Sequence, residues 1–416
     1  MKKLFAIFLV LTMMFTLVAC SGAGDSAGVL NGKPGGWYGD EGLKDAPAMD
    51  APMGDDVLDA MPEEGEIDGI EPDSGSNNHI QSGLLTAGEW SDVKNQDFWT
   101  ALLNREEWSN LATNRNLRAT QIVTVKVVDE EGNPCFNAPV ELHNNDGKVY
   151  AAKTNVNGIA YLFHGLNGKS DNVTGVKVND KFTNLDGNKE ITVVYENGTQ
   201  AVEKLDLMLM VDTTGSMGDE LRYLQQELKS MIERVVDADK TLSIRISVNF
   251  YRDEGDEYVV RTFEFTNDVN TAINQLEAQR SDGGGDYPEA VHKALDSIVN
   301  HEWREDAVQM CFFVLDAPPH TEQEIQSINS AMTNTVKTMA AQGIRLIPIA
   351  SSGVNTETEF LLRSWAAMTG GTYTFLTDHS GIGGDHLEPT VGEYEVEKLN
   401  NLMVRLIREY CNLVQE

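Results

Sequence analysis

Leu205-Asp206-Leu207-Met208-Leu209-Met210-Val211-Asp212-Thr213-Thr214-Gly215-Ser216-Met217 is the stretch that decides the fold of this 416-residue chain. Its first seven residues are apolar except at Asp206. A strand with one wet face would alternate; a nearly continuous run predicts a strand covered by helices on both faces. Downstream, apolar strand patterns at Leu205–Val211, Ile244–Tyr251, Val308–Leu315, Ile344–Ala350 and Thr372–Leu376 alternate with helical ones. The helical patterns cover Asp219–Ala238, Asp268–Gln279, Tyr287–Asn300, Glu322–Gln342, Glu357–Met368 and Val396–Val414. Such alternation predicts an α/β fold with a doubly wound, mostly parallel sheet over residues 203–416. Ligands of such sheets bind beyond the C-terminal ends of the strands.

Three oxygen-rich loops are expected there. The first is Asp212 to Met217. The second is Ser281-Asp282-Gly283-Gly284-Gly285-Asp286-Tyr287-Pro288-Glu289-Ala290, and the third is Leu315-Asp316-Ala317-Pro318-Pro319-His320. Oxygens at Asp212, Thr214 and Ser216 alternate along an extended turn, so they can converge. Hard oxygen donors suit Mg²⁺, with Ca²⁺ and Mn²⁺ as alternatives, and not zinc. The other reading of Asp212 and Asp316 is that they cap helices at strand ends.

Residues 203–416 resemble a von Willebrand factor type A domain, and the three loops resemble its metal-ion-dependent adhesion site. The family motif Asp-x-Ser-x-Ser reads Asp-x-Thr-x-Ser here, which keeps the hydroxyl. The usual threonine of the second loop is replaced, with Gly283-Gly284-Gly285 leading to Asp286, and the third loop reads Leu315-Asp316-Ala317 instead of Thr-Asp-Gly. The resemblance implies a divalent cation held by Asp212, Thr214, Ser216, Asp286 and Asp316. It also implies a protein ligand. Three carboxylates around one doubly charged ion leave the site negative, which is expected to strengthen metal binding and weaken acidic partners.

Upstream, residues 118–200 read as short alternating strands. The turns fall at Glu130-Glu131-Gly132-Asn133-Pro134 and Asn144-Asn145-Asp146-Gly147, which predicts a smaller all-β sandwich. This stretch resembles carboxypeptidase regulatory-like, transthyretin-like modules, which implies a spacer or adhesion unit. Asp129, Glu130 and Asp146 are expected to form turns, calcium binding being the alternative. In residues 84–117, Trp90, Phe98, Trp99, Leu102, Leu103, Trp108 and Leu111 recur near helical spacing, which predicts one or two short helices docked on the rest of the chain. Residues 20–83 are rich in Gly, Asp, Glu and Pro, and read as a disordered acidic linker.

Residues 1–19 carry Lys2 and Lys3 followed by an apolar run to Ala19, the pattern of a signal peptide and not of a stable span. Leu17-Val18-Ala19-Cys20 resembles the lipobox of bacterial lipoproteins. That resemblance implies acylation of Cys20 and an extracytoplasmic protein anchored by lipid to the plasma or outer membrane.

Lys and Arg total 32 against 65 Asp and Glu, a formal net charge of −33. A sheath of that sign repels nucleic acid and favours cationic partners. No His-Glu-x-x-His or phosphate loop occurs, and Gly-x-Ser-x-Gly occurs only at Gly24-Asp25-Ser26-Ala27-Gly28, in the linker and not between a strand and a helix. The expectation is therefore a binding or adhesion protein and not an enzyme, its unidentified protein partner held through a carboxylate or a basic surface. The alternative is an envelope scaffold factor whose metal is structural; a metal-dependent hydrolase is the third class. The charged turn Arg252-Asp253-Glu254-Gly255-Asp256-Glu257 reads as a solvated hairpin, or as a contributor to the site rim. His320 reads as a loop histidine near the third loop, and His379, His386 and Asp385 offer a zinc alternative. Cys135, Cys311 and Cys411 read as buried thiols, with a Cys311–Cys411 bridge left open.

Overall fold

The computed structural model describes residues 81–195, 201–238, 240–320 and 325–413. The signal sequence expected at 1–19, Cys20 and nearly all of the acidic stretch 20–83 lie outside the described residues. The chain runs through β1 (Thr86–Trp90), α1 (Gln96–Leu102) and α2 (Glu106–Asn114) into seven short strands. These are β2 (Gln121–Val128), β3 (Pro139–Asn144), β4 (Gly147–Lys153), β5 (Ile159–His164), β6 (Gly175–Val178), β7 (Lys181–Asn184) and β8 (Glu190–Val194). The α/β part follows with β9 (Lys204–Asp212), α3 (Leu221–Ala238), β10 (Ser243–Tyr251), β11 (Val260–Arg261), α4 (Val269–Glu277) and α5 (Val291–Val299). It closes with β12 (Val308–Leu315), α6 (Ile325–Gln342), β13 (Ile344–Ala350), α7 (Thr356–Thr369), β14 (Tyr373–Thr377), β15 (Glu397–Lys398) and α8 (Leu399–Tyr410).

The large sheet has the order β11-β10-β9-β12-β13-β14-β1-β15. Its five central strands, β10 to β14 through β9, are parallel, and the flanking strands pair antiparallel. β9 lies in the middle, and Leu205 and every residue from Leu207 to Val211 are fully buried. This is what a strand sandwiched between helix layers requires. On α3, Leu221, Leu224, Leu228, Met231, Ile232 and Val235 recur at three- and four-residue intervals and form the buried stripe. α7 is buried from Thr358 to Thr369, because sheet strands cover one face while α2 and β5 cover the other.

Residues 84–117 are not all helical. Thr86–Trp90 is a strand, and it extends the large sheet by pairing with β14 from Thr86↔Thr377 to Trp90↔Tyr373. Its aromatic spacing reads as helical, but a strand next to a helix layer buries the same residues. Glu227 of α3 holds the approach to this strand: its carboxylate accepts from the backbone N–H groups of Gly83, Leu84 and Leu85 at 2.8, 2.8 and 3.1 Å. α1 and α2 pack Trp99 and Trp108 against Phe360 of α7, with ring centroids 6.4 and 6.2 Å away.

β2 to β8 form two small sheets, β5-β2-β8 and β4-β3-β6-β7. They enter and leave the chain between two strands of the large sheet. Asp129 accepts from the Asn133 backbone at 2.7 Å, and Asn144 accepts from Asp146 and Gly147, so these residues shape turns. The small sheets rest on the helix layer through α6 and α7. Tyr150 Oη donates to the Met368 carbonyl at 2.7 Å, and Arg345 donates to the Lys153 carbonyl at 2.7 Å. Cys135, Cys311 and Cys411 are buried thiols.

Candidate functional site

β9 and β12 are neighbours in the sheet although α3, β10, α4 and α5 separate them in the chain. Chain direction therefore diverges at their C-terminal ends, which is where doubly wound sheets open a crevice. Asp212 ends β9 and Asp316 follows β12, so the fold brings both to that crevice.

Asp212 is fully buried. Its Oδ1 accepts from the Thr214 backbone N–H at 2.9 Å and the Thr214 hydroxyl at 2.7 Å, and Thr214 Oγ1 lies 3.1 Å from Ser216 Oγ. Its Oδ2 has no partner. Asp316 is 3% exposed, and its Oδ1 also lacks a partner.

A third buried carboxylate joins them. Glu289 is 2% exposed and its Oε2 is unpartnered. The second and third loops are knitted together around it: its backbone N–H donates to the Pro318 carbonyl at 2.9 Å, and its carbonyl accepts from the His320 N–H at 3.2 Å. The first and second loops are joined by Gly215 N–H donating to the Gly283 carbonyl and Asp282 N–H to the Thr213 carbonyl, both at 3.1 Å. Gly283 and Gly284 have φ of 76° and 69°, and a side chain at Gly283 would strike the Asp256 carboxylate. This tight turn lets the loop backbone approach Thr214 and Glu289.

Burial pushes all three carboxyls up. Asp212 is raised by desolvation and, more weakly, by Asp253, against the hydrogen bonds from Thr214 and the Tyr251 hydroxyl. Asp316 is raised by desolvation and then by the charge of Asp212. Glu289 is pushed up to about 9, first by desolvation and then by Asp212, Asp253, Asp316 and Asp256. Three unsatisfied carboxylate oxygens that resist ionisation in one crevice are costly unless a cation compensates them. Their donor type fits Mg²⁺, Ca²⁺ or Mn²⁺.

Asp286 is placed differently from Glu289. It is exposed, and its carboxylate groups with Asp253 and His320, the ligand atoms of the three lying within 4.8 Å of one another. His320 Nε2 is 2.6 Å from Asp253 Oδ1. Asp286 thus lines the mouth of the crevice. The proline between it and Glu289 leaves little sign of the turn that buries Glu289, so the sequence singles out the wetter carboxylate of the pair.

Arg252 is the other residue that sequence reasoning underused. It is 5% exposed. It donates to the carbonyls of Thr213 at 3.1 Å and Arg280 at 2.7 Å, and its guanidinium lies 4.7 Å from the Tyr258 ring. It ties the first loop to the second from beneath. His386 sits between Glu220, at 2.9 Å, and Asp378, at 2.7 Å, which places it beside the crevice rim. His379 lies on the neighbouring short helical turn. Among the described residues no helix is long and apolar enough to cross a membrane.

Residues 206–378 match the model of the von Willebrand factor A domain, and a domain of that family is found there. The chain is also similar to curated proteins. An ariadne-like RING finger protein, R811, of Acanthamoeba polyphaga mimivirus is 25% identical over 185 residues, which are 41% of this chain and 18% of that protein. The alpha-protein kinase vwkA of Dictyostelium discoideum is 27% identical over 134 residues, 32% of this chain and 21% of that protein. The chain spans about a fifth of the length of these relatives. Domains of this family generally mediate protein–protein interaction or adhesion, and commonly bind divalent cations.

Proposed function

We propose that this chain is a lipid-anchored extracytoplasmic binding protein whose A domain holds a divalent cation, Mg²⁺ in the first instance, and contacts another protein. The observation that carries the reading is the set of three buried, unpartnered carboxylate oxygens on Asp212, Asp316 and Glu289. Asp212 and Asp316, with the hydroxyls of Thr214 and Ser216, would hold the ion, and Glu289 supplies the third negative charge beside them. When bound, the ion would offset most of the buried negative charge at the floor of the crevice. Glu289 takes over the role assigned to Asp286 from sequence, and Asp286 belongs to the rim. Binding, not turnover, suits the open crevice: its polar groups are arranged around one another and not as a nucleophile with its base.

Membrane attachment through Cys20 rests on the Leu17-Val18-Ala19-Cys20 pattern, and the outside location follows from it. The small β-sheets would be a sandwich-like spacer.

Calorimetric titration with Mg²⁺, Ca²⁺ and Mn²⁺ tests the cation. Uptake by the native chain and its loss in Asp212→Ala are expected; equal uptake by both sinks the assignment. Metabolic labelling with palmitate tests the anchor, with label expected on the native chain and absent from Cys20→Ala. A purely structural ion is the second reading, favoured by the complete burial of Asp212. It predicts that Asp212→Ala keeps partner capture from envelope extracts while its melting temperature falls.

A further inference from the structure

The crevice above Asp316 and Glu289 is an open cleft of about 650 Å³ with a lining of one sign. Asp219, Asp286 and Asp385 are exposed around its mouth, and Asp316 and Glu289 lie on its floor. None of the described residues that line it is Lys, Arg or His. Exposed carboxylates alone do not make a site on a chain of net charge −33. The observation beyond the rim is at the floor, where Asp316 and Glu289, 3% and 2% exposed, line the cleft and carry buried, unpartnered oxygens, Asp316 Oδ1 and Glu289 Oε2.

One divalent ion shared among Asp212, Asp316 and Glu289 leaves the floor negative, and the rim adds three more negative charges. An incoming carboxylate would meet repulsion from every wall. Tyr287 stands on the wall, 46% exposed, with its hydroxyl donating to the Gly353 carbonyl at 2.7 Å. A tethered aromatic ring beside carboxylates suits an ammonium or guanidinium group, which gains from both. The volume exceeds one side chain and fits an extended segment.

We propose that the cleft receives a lysine- or arginine-bearing segment of a partner protein. This rests on the protein-binding reading above and gives that reading its ligand chemistry.

The test is fluorescence anisotropy of the full chain in Mg²⁺ buffer, with a fluorescein-labelled peptide alternating Gly with Arg and Lys. A matched peptide carries Asp and Glu instead. The basic peptide should bind and the acidic one should not. The combined variant Asp219→Asn, Asp286→Asn, Asp385→Asn should weaken binding roughly tenfold, because it removes rim charge without changing shape. Tyr287→Leu should weaken it several-fold. A control that neutralises remote exposed carboxylates, Asp180→Asn, Asp186→Asn and Glu190→Gln, should leave affinity unchanged. Chelating the metal should leave the affinity unchanged or raise it. Binding of the acidic peptide, an unaffected rim variant, equal loss in the remote control, or loss of binding on chelation would each overturn the proposal. Calorimetric Mg²⁺ uptake on the same samples reports on the cation separately. Uptake without peptide binding removes only this inference, and peptide binding without uptake removes only the cation.

Discussion

Asp206 and Asp212 stand near opposite ends of β9, and both are fully buried. Their surroundings differ. Asp206 accepts from Arg245 Nε at 2.9 Å and Nη2 at 2.6 Å, and from Arg304 Nε at 2.8 Å and its backbone N–H at 2.7 Å. Arg304 goes on to the Leu205 and Ser243 carbonyls. Every lone-pair direction of that carboxylate is used, so the charge serves the fold. Asp212 has one oxygen committed to Thr214, while its Oδ2 makes no full hydrogen bond and the carboxylate has only the buried Tyr251 hydroxyl as a further neighbour. A buried charge that the protein completes itself is structural, whereas one left incomplete marks a place where something from outside belongs.

The contrast can be broken most directly at the satisfied end. Asp206→Ala strands two guanidinium groups and should cost about 3 kcal/mol in chemical denaturation, the lower part of the range for a broken buried pair because the arginines keep some access to water. A loss below about 1 kcal/mol would mean that pairing does not distinguish the two ends. At the other end, Asp212→Asn should leave the metal-free protein nearly as stable as the native one. It should also lower divalent-cation affinity about a hundredfold, equivalent to about 2.7 kcal/mol by calorimetry.

Glu289 sharpens the comparison through pH. In the metal-free folded state it keeps its proton up to about 9, whereas its ordinary value is 4.5. The folded state therefore holds more protons than the unfolded chain across this window. Stability should fall as pH rises from about 5 to about 9, by something on the order of 2 kcal/mol once the openness of the cleft is allowed for. Thermal melts should show this slope in chelator and lose it in Glu289→Gln; a slope that survives the substitution assigns it elsewhere. Metal uptake near neutral pH should release protons, read from titrations in buffers of different ionisation enthalpy. The smallest effect is expected from Ser216→Ala. Its hydroxyl is exposed, so stability should hold within about 0.5 kcal/mol while cation affinity drops several-fold.

The five parallel strands were legible because β9, β12 and β13 are nearly continuous apolar runs and β10 and β14 alternate apolar with polar residues, and the polar ends of β9 and β12 put Asp212, Thr214, Ser216 and Asp316 on one edge. What stayed hidden depends on contacts between distant residues. Trp90 falls at helical spacing from Phe98 and Trp99, yet it ends a strand whose partner, Tyr373, lies far along the chain. Nothing local signals that pairing. Glu289 and Asp286 are equally acidic to a reader of the sequence, and only the bridge from Glu289 to Pro319 decides which carboxylate is buried. Arg252 reads as one charge in a charged turn, because its carbonyl partners, Thr213 and Arg280, belong to other loops.

Glu227 has a mechanical consequence. The first residue of β1, Thr86, pairs with Thr377 at the end of β14 that lies on the same sheet edge as the crevice. Tension between a captured partner and the upstream chain would thus run along that edge, and would unzip β1 one rung at a time and not shear it. The carboxylate that grips Gly83, Leu84 and Leu85 stands ahead of the first rung, so it acts as a stopper that such a pull must dislodge before the sheet begins to open.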